Sequence, residues 1–202
     1  MTTRDALVDA AAELIAIHGL GALSLRKVAE QVGIRAPSIY VHFGSKEALL
    51  AEARLHATRA LGSQLRAARK GGDARARLLA TAIAYLGFAR AQPSLFALLF
   101  MELPSERRSL DEAPDADSPY RLLLDGASEF LGGDRRAAEM LSFGIWSTVH
   151  GAAVLWQTHL RDFSGPIDAG VRENLERLLD GWRPRAAPPA AGRRPRKSGD
   201  RP

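Results

Sequence analysis

Several residue types and patterns are missing from this chain, and each absence excludes a class of protein. There is no cysteine among the 202 residues, which excludes disulfides, cysteine metal sites and thiol nucleophiles. No stretch reaches the ~18 consecutive apolar residues of a membrane-spanning helix. Arg4, Asp5 and Asp9 interrupt any signal-peptide core at the N-terminus. We therefore expect a cytoplasmic protein that does not enter a membrane.

The sequence signatures of enzymes are also missing. The chain has no HExxH metal motif, no Gly-rich phosphate loop, and no evident set of nucleophile, base and orienting residue. His150 and His159 are about two and a half helical turns apart, so they cannot share a metal ion on one helix. We predict no catalytic residues, no metal site and no cofactor, and a helical enzyme is the less favoured alternative.

The net charge of +5 is concentrated at the C-terminus. Residues 183–202 hold seven basic residues and one acid, a net charge of +6, which leaves the other 182 residues at −1. The basic character therefore gives no support for DNA binding by the folded body. A segment of Pro, Ala, Gly and Arg cannot bury a core, so we expect a disordered basic tail. Non-specific phosphate contact and solubility alone both stay open as its role.

Residues 24–46 contain two short helical patterns joined by a tight turn. Ser24 suits an N-cap, Gly33 suits the left-handed position after a helix, and Pro37 suits the first turn of a second helix. The first pattern has four apolar residues at helical spacing: Leu25, Val28, Ala29 and Val32. Two helices joined in this way predict a helix-turn-helix.

The second helix of this segment has an outward face that is unusual for a solvated helix. Ile39 and Phe43 are four apart and can both point inward. Four residues then point mostly outward, and none of them is a Glu or a Lys: Ser38, Tyr40, Val41 and His42. Such a face suits a recognition helix in a DNA major groove.

The run Pro37-Ser38-Ile39-Tyr40-Val41-His42-Phe43, followed by Ser45-Lys46-Glu47-Ala48-Leu49-Leu50, resembles the DNA-binding domain of the TetR family of bacterial transcriptional repressors. The resemblance extends from about Arg4 to Leu50. It implies an all-α protein with an N-terminal three-helix helix-turn-helix domain, followed by a helical bundle that binds a ligand and dimerises. It also implies a homodimeric repressor with double-stranded operator DNA and a small-molecule effector as partners.

The resemblance assigns DNA contacts to ten positions: Ser24, Arg26, Arg35, Ala36, Pro37, Ser38, Tyr40, Val41, His42 and Lys46. The positions of Tyr40, His42 and Lys46 commonly hold the phosphate backbone, which sets register, whereas base contacts set sequence. Ala36 and Val41 could read only thymine methyl groups. Arg35 could read guanine or clamp a phosphate. Arg26 could reach DNA or be an ordinary solvated arginine.

The remaining chain divides into helical segments. A linking helix should begin after Ser45 and run to about residue 70, so that domains of 1–50 and 71–182 meet at the break Gly71-Gly72. Asp73 should cap the next helix. A short helix from Pro93 is apolar nearly all round and should be buried. Residues 104–118 should form a loop, and a further helix should run from Ser118 to Leu131.

The last two helices predict a dimer interface. The segment Asp134–Leu160 shows two apolar faces, one with Leu141, Ile145, Ala152 and Leu155 and the other with Phe143, Trp146, His150 and Val154. Asp168–Trp182 has one apolar stripe. We predict a two-fold four-helix interface built from both segments, with Leu175 and Leu179 at the contact.

The C-terminal domain has more large apolar groups than a DNA-binding head requires, which indicates a cavity for a mainly apolar effector. Trp146, His150 and Gly151 also resemble the Trp-His-Gly signature of one group of TetR-type C-terminal domains. Nine residues are the candidates for ligand binding: Phe88, Phe96, Phe100, Met101, Tyr120, Phe143, Trp146, His150 and Gln157. Two alternatives stay open. The aromatic residues could only fill a core, with His150 hydrogen-bonded inside it, and a partner protein could replace the small molecule.

Overall fold

The computed structural model describes residues 2–100, 118–160 and 163–182. Within these residues the chain is all-α, as predicted, and contains no strand. Nine α-helices follow one another in this part of the chain: α1 Thr3–His18, α2 Leu25–Val32, α3 Ile39–His42, α4 Lys46–Ala68, α5 Ala74–Ala91, α6 Pro93–Phe100, α7 Pro119–Phe130, α8 Arg135–Thr158 and α9 Ile167–Gly181. The loop predicted at 104–118 lies outside the described residues apart from its last residue, and so do Met101 and the basic tail 183–202.

Helices α1, α2 and α3 form the N-terminal head around a small apolar core. Leu7, Ala11, Val28 and Ile39 are fully buried there. Thr2 begins α1 with a capping box, since its hydroxyl accepts from the Asp5 N–H and the Asp5 carboxylate accepts from the Thr2 N–H. Hydrogen bonds to the carboxyl from the Thr2 backbone N–H, and to a lesser extent from the Thr2 side chain, hold the pKa of Asp5 below its usual value.

The predicted caps of the longer helices are present. Ser45 accepts from the Ala48 N–H at 3.1 Å and begins α4. Asp73 begins α5 in the same way, with an oxygen–nitrogen distance of 2.7 Å. Asp134, which was not predicted as a cap, begins α8 with a distance of 3.0 Å. Ser24 lies at the N-cap of α2, but its side chain makes no capping hydrogen bond, so that part of the prediction is wrong.

Helix α5 is the centre of the C-terminal bundle, because it packs against α4, α6, α7, α8 and α9. Phe88 and Ala89 of α5 are fully buried, and so are Leu98 of α6 and Leu141 of α8. The short helix α6 also packs against α1 and α4, so it joins the bundle to the head. Its predicted burial is confirmed for Leu95, Phe96 and Leu98.

One prediction about the last helices is wrong. Leu175 and Leu179 of α9 are each only 1% exposed, because the apolar stripe of α9 packs against α5 and α8 of the same chain. They cannot form a contact between subunits. Leu155 of α8 is exposed, although periodicity grouped it with the buried Leu141 and Ile145. Helices α8 and α9 approach closely at Gly144, since a Cβ there would lie 3.3 Å from Leu178 of α9.

No single helix in the described ranges is both long and apolar enough to cross a membrane. Helices α5 and α6 reach that length and composition only when taken together, and they meet at an angle of 107°.

Candidate DNA interface and effector cavity

The recognition helix is anchored by two buried residues and presents an exposed face. Ile39 and Phe43 are buried, as predicted, whereas Tyr40 is 61% exposed and Val41 is 84% exposed. The helix begins as a 3₁₀ turn at Ala36–Ser38 and continues as α3, with Pro37 in its first turn. A valine this exposed, at the centre of a short helix, is not packed into the described part of its own chain.

The angle between α2 and the recognition helix is fixed at Gly33. This residue has φ +77°, and the N–H groups of Gly33 and Ile34 donate to the carbonyls of Glu30 and Ala29 at 3.1 and 3.0 Å. This is the left-handed helix end that favours glycine, as the sequence predicts. Residues 34 and 35 then lead directly into the recognition helix.

Arg4 ties the recognition helix to the rest of the head, a role that the sequence did not reveal. Its guanidinium donates to the His42 carbonyl at 2.8 Å and to the Glu52 carboxylate at 3.0 Å. It also lies over the Phe43 ring, 4.4 Å from the centroid. The partners are 38 and 48 positions away in the chain, so no local pattern could have identified them.

Two helix N-termini open onto one shallow depression on the head. Eight residues line it: Leu23, Ser24, Leu25, Arg26, Tyr40, Gly44, Ser45 and Lys46. Four of these are predicted DNA contacts, namely Ser24, Arg26, Tyr40 and Lys46. No acidic residue lines the depression, and helix N-termini favour anions through their free N–H groups and dipole. The arrangement therefore suits a phosphate group. Arg26 is also paired with Glu30 at 2.9 Å.

The other predicted DNA contacts are separate from this depression. Arg35, Pro37, Ser38 and Val41 are exposed around the recognition helix. Ala36 is partly buried against the core of the head, and His42 is half-buried with its carbonyl bound by Arg4. The first four are thus accessible to a DNA groove, while Ala36 and His42 are less so.

The C-terminal domain contains an apolar cavity of about 170 Å³. Its lining comes from α4, α5, α6, α7 and α8 and from Ser118, the residue before α7. The fifteen lining residues are Thr58, Leu61, Leu65, Thr81, Ala82, Tyr85, Leu99, Phe100, Ser118, Pro119, Tyr120, Leu123, Ile145, Trp146 and Val149. Three of the nine candidate ligand residues, Phe100, Tyr120 and Trp146, are among them. None of the described residues in this lining has a charged side chain.

His150 lies beside the cavity lining in an aromatic cluster. Its Nδ1 is 2.8 Å from the Tyr85 hydroxyl oxygen, and its ring centroid is 5.0 Å from that of Phe100 and 5.8 Å from that of Phe96. Burial lowers the pKa of His150. Burial also raises the pKa of Tyr85, while a hydrogen bond with Trp146 acts in the opposite direction. The arrangement agrees with the alternative of a hydrogen-bonded histidine inside a core.

The structure places several candidate ligand residues away from the cavity. Phe143 is 65% exposed on α8, and Phe88 is fully buried in the core. Gln157 donates its amide to the Ala89 carbonyl at 3.0 Å. Phe96 is fully buried and contacts the cavity only through Tyr85 and Phe100. Helical spacing does not distinguish a residue that fills a core from one that borders a cavity, so the sequence could not separate the two groups.

Sequence reasoning also missed polar residues of the cavity lining: Thr58, Thr81, Tyr85 and Ser118. Each lies within an apolar helical pattern or at a helix start, where a hydroxyl usually bonds its own backbone. Thr58 and Thr81 do so, donating to the carbonyls of Arg54 and Arg77 at 2.9 and 2.8 Å. Only the packing of α4 against α5 shows that they also border a cavity.

An apolar surface remains uncovered on α8. Met140, Phe143 and Leu155 are all exposed, and their spacing puts them on one face of the helix. In the described residues, no group of three or more His, Cys, Asp or Glu is placed to hold a metal ion.

Comparison with known proteins agrees with this architecture. The family described as "Bacterial regulatory proteins, tetR family" matches residues 7–53, and the one described as "Tetracyclin repressor-like, C-terminal domain" matches residues 78–181. The uncharacterised HTH-type transcriptional regulator YobS of Bacillus subtilis (strain 168) is 28% identical over 158 residues, which cover 76% of this chain and 78% of YobS. The class D tetracycline repressor of Escherichia coli is 43% identical over 47 residues, 23% of this chain and 22% of the repressor. A protein of unknown function from Rhodococcus sp. RHA1 superimposes with a TM-score of 0.72 at 26% identity, over 90% of this chain and 96% of that one.

Proposed function

Because the chain belongs to the tetR family of bacterial regulatory proteins and is a DNA-binding transcriptional regulator, we propose that it is a homodimeric repressor. In this proposal it binds operator DNA in the bacterial cytoplasm and leaves the operator when a mainly apolar small molecule occupies its cavity. It acts as a regulator, with no reaction of its own. The division into a DNA-binding head of 1–50, a ligand and dimer domain of 71–182 and a basic tail is part of the proposal.

A single observation carries the proposal, namely that one helix reaches from the DNA face to the cavity. Helix α4 begins with Lys46 in the depression of the head, and it contributes Thr58, Leu61 and Leu65 to the cavity lining. A ligand that displaces α4 must therefore also move the base of the recognition helix. Arg4 strengthens this coupling, because it binds both Glu52 of α4 and the end of α3.

The DNA contacts of the proposal divide into two groups. Ser24, Arg26, Tyr40 and Lys46 surround the depression and hold a backbone phosphate. Arg35, Pro37, Ser38 and Val41 are exposed along the recognition helix and read bases, with Ala36 and His42 in supporting positions. Val41 contacts a thymine methyl group, since an alkyl side chain has no other way to read a base edge.

The homodimer of the proposal forms through α8 and α9, with α8 providing the apolar contact. Met140, Phe143 and Leu155 are exposed on one face of α8, and a two-fold contact would cover this face on both subunits. Two heads related in this way can face successive major grooves, about 34–36 Å apart. We also assign the C-terminal domain to the Trp-His-Gly group, on the basis of Trp146, His150 and Gly151.

The effector side of the proposal requires that the ligand bind one state more tightly than the other. Effector binding must favour the form in which the heads no longer match the operator, because a ligand with equal affinity for both forms shifts nothing. Phe100, Tyr120 and Trp146 border the cavity and can detect its occupancy.

The test is a fluorescence-anisotropy titration of the full chain against labelled DNA from upstream of its own gene. A scrambled fragment of the same length and composition is the control. We expect at least about 10³-fold tighter binding to the upstream fragment, the lower limit for specific regulators, with two subunits bound per site. Equal affinity for the two fragments would contradict the proposal, and one subunit per site would contradict its dimeric form.

A further inference from the structure

The size of the cavity limits what it can hold. Its volume is about 170 Å³, and an apolar protein cavity of about 150 Å³ holds one benzene molecule. From the volume together with the groups that line it, we infer that the effector is a compact uncharged molecule, about the size of one six-membered ring, that carries a hydrogen-bond donor. This inference rests on the proposed function, in which the cavity is the effector site.

The requirement for an uncharged molecule follows from the lining. All fifteen lining residues are apolar or carry a hydroxyl or indole group. A carboxylate or ammonium group placed there would lose its hydration without gaining an opposite charge, which strongly disfavours binding. The arginines nearest in sequence to the lining threonines are Arg59 and Arg77, and neither of them borders the cavity. Arg54 does not border it either.

The requirement for a donor follows from the hydroxyl groups of two threonines. Thr58 on α4 uses its hydroxyl proton to bond the Arg54 carbonyl, and Thr81 on α5 uses its own to bond the Arg77 carbonyl. Each hydroxyl has one proton but two lone pairs, so both threonines can accept a hydrogen bond and neither has a proton free. A ligand with a hydroxyl or N–H group can use these acceptors, whereas a ligand with only an acceptor cannot.

The hydroxyl proton of Tyr85, which also lines the cavity, is likewise used in a hydrogen bond within the protein. Trp146 has only an N–H to donate, so in its hydrogen bond with Tyr85 the phenolic oxygen is the acceptor. The Tyr85 proton is then free for His150 Nδ1, 2.8 Å away. The lowered pKa of His150 supports a neutral imidazole that can accept it. Tyr85 therefore offers the ligand no proton either. Of the three lining hydroxyls at Thr58, Thr81 and Tyr85, those of the two threonines are the acceptors that favour a donor-bearing ligand.

The test is an isothermal titration of the full chain with five probes. Phenol has one ring and a donor, anisole has one ring and an acceptor only, and toluene has neither. Benzoate adds a charge, and 2-naphthol adds a second ring to the donor. We expect phenol to bind about 2- to 10-fold more tightly than anisole and toluene, the range for one net hydrogen bond. We expect benzoate and 2-naphthol to bind more weakly than phenol.

A pair of double variants identifies the acceptors. Thr58→Val with Thr81→Val removes both hydroxyls while keeping the side-chain shape, and should abolish the preference for phenol over anisole. The matched control is Thr148→Val with Thr158→Val. These threonines also donate to the carbonyl four residues before them, at 2.9 and 2.7 Å, but neither borders the cavity. The control pair should keep the preference.

Several results would overturn the inference. In the titrations, the inference fails if anisole binds as tightly as phenol, if either benzoate or 2-naphthol binds more tightly than phenol, or if no probe binds. It also fails if the variant with Thr58→Val and Thr81→Val keeps the preference for phenol over anisole. The proposed function is tested separately by adding saturating phenol to the complex with upstream DNA. If phenol binds as expected but DNA affinity is unchanged, the ligand class stands and the effector role fails.

Discussion

Two kinds of residue on the head are expected to contact DNA. Some bind the phosphate backbone of any sequence, and others contact bases and so distinguish one sequence from another. Lys46 lies in the first turn of α4, where a cation opposes the helix dipole. A bound phosphate in the depression would offset this unfavourable placement. We expect Lys46→Ala to weaken binding equally on all DNA sequences and to reduce the salt slope by about 1. Anisotropy titrations at several salt concentrations measure both.

The control for this change is Lys70→Ala. Lys70 is exposed just beyond the other end of α4, about 34 Å from Lys46 along a helix of this length. The Lys70→Ala substitution should leave DNA affinity unchanged. If the Lys46→Ala protein kept the DNA affinity and salt slope of the parent, the depression would not be part of the DNA interface.

Arg35 differs from Lys46 because it can distinguish one base from another. It is exposed immediately before the recognition helix, and a guanidinium can bond both acceptors of a guanine. We expect Arg35→Ala to reduce the preference for the operator over single-base variants by about 1–3 kcal/mol at one position. A selection from randomised DNA measures this change. Uniform weakening on every sequence would instead make Arg35 a phosphate clamp.

The pKa of His150 predicts a pH dependence of stability. Burial lowers this pKa in the folded chain, so the unfolded chain binds a proton first as the pH falls through about 6.5, the ordinary value for histidine. The contribution of His150 to stability is therefore complete above that pH and is lost below it. Between pH 7.5 and pH 5.5, we expect the melting temperature of the parent protein to fall by more than that of the His150→Gln variant. Equal losses would show that His150 stays solvated.

The residues that the sequence predicted correctly are those whose role is local. Ile39 and Phe43 could be assigned to the core from their spacing, and Gly33 from its position after a helix. Tyr85 and Arg4 could not be assigned, since their partners are 65 and 38 positions or more away. A hydrogen bond between distant segments is fixed by tertiary packing, which a single sequence shows only through apolar periodicity.

At the level of whole elements, α8 offers the exposed apolar surface on which the proposed dimer depends. We expect Phe143→Glu with Met140→Glu to produce monomers that bind the operator weakly, because two carboxylates from each subunit would be forced together at the contact. Sedimentation velocity measures the change. The control is Ile17→Glu, the same kind of change at an exposed position of α1, which should leave a dimer. Dimers in the α8 variant would exclude this face as the interface.

A substitution in α9 should have a different effect. Leu175→Glu would bury a charge at a position that is 1% exposed, so loss of the fold is expected rather than separation of subunits. The sequence could not distinguish the two outcomes. Periodicity shows that a helix has an apolar stripe, but it does not show whether the stripe meets its own chain or another one.

At the level of the whole molecule, the proposed switch requires that the head and the cavity influence each other equally. If the effector weakens operator binding by some factor, operator DNA must weaken effector binding by the same factor, typically ~5–150-fold. We expect this reciprocity for any ligand of the cavity that releases the DNA. Titrating the effector into free protein and into the operator complex measures it, and equal affinities would exclude this switch.

The length of α4 has a mechanical consequence. Thr58 lies twelve residues after Lys46 on the same helix, which is a radius of about 18 Å at 1.5 Å per residue. If α4 pivots at the cavity by about 10°, this radius carries the Lys46 end through about 3 Å, comparable to the length of a hydrogen bond. In a two-fold dimer the displacement occurs at both ends. A ligand of one-ring size then needs to rotate α4 only slightly to misalign both heads, because the displacement grows with distance along the helix.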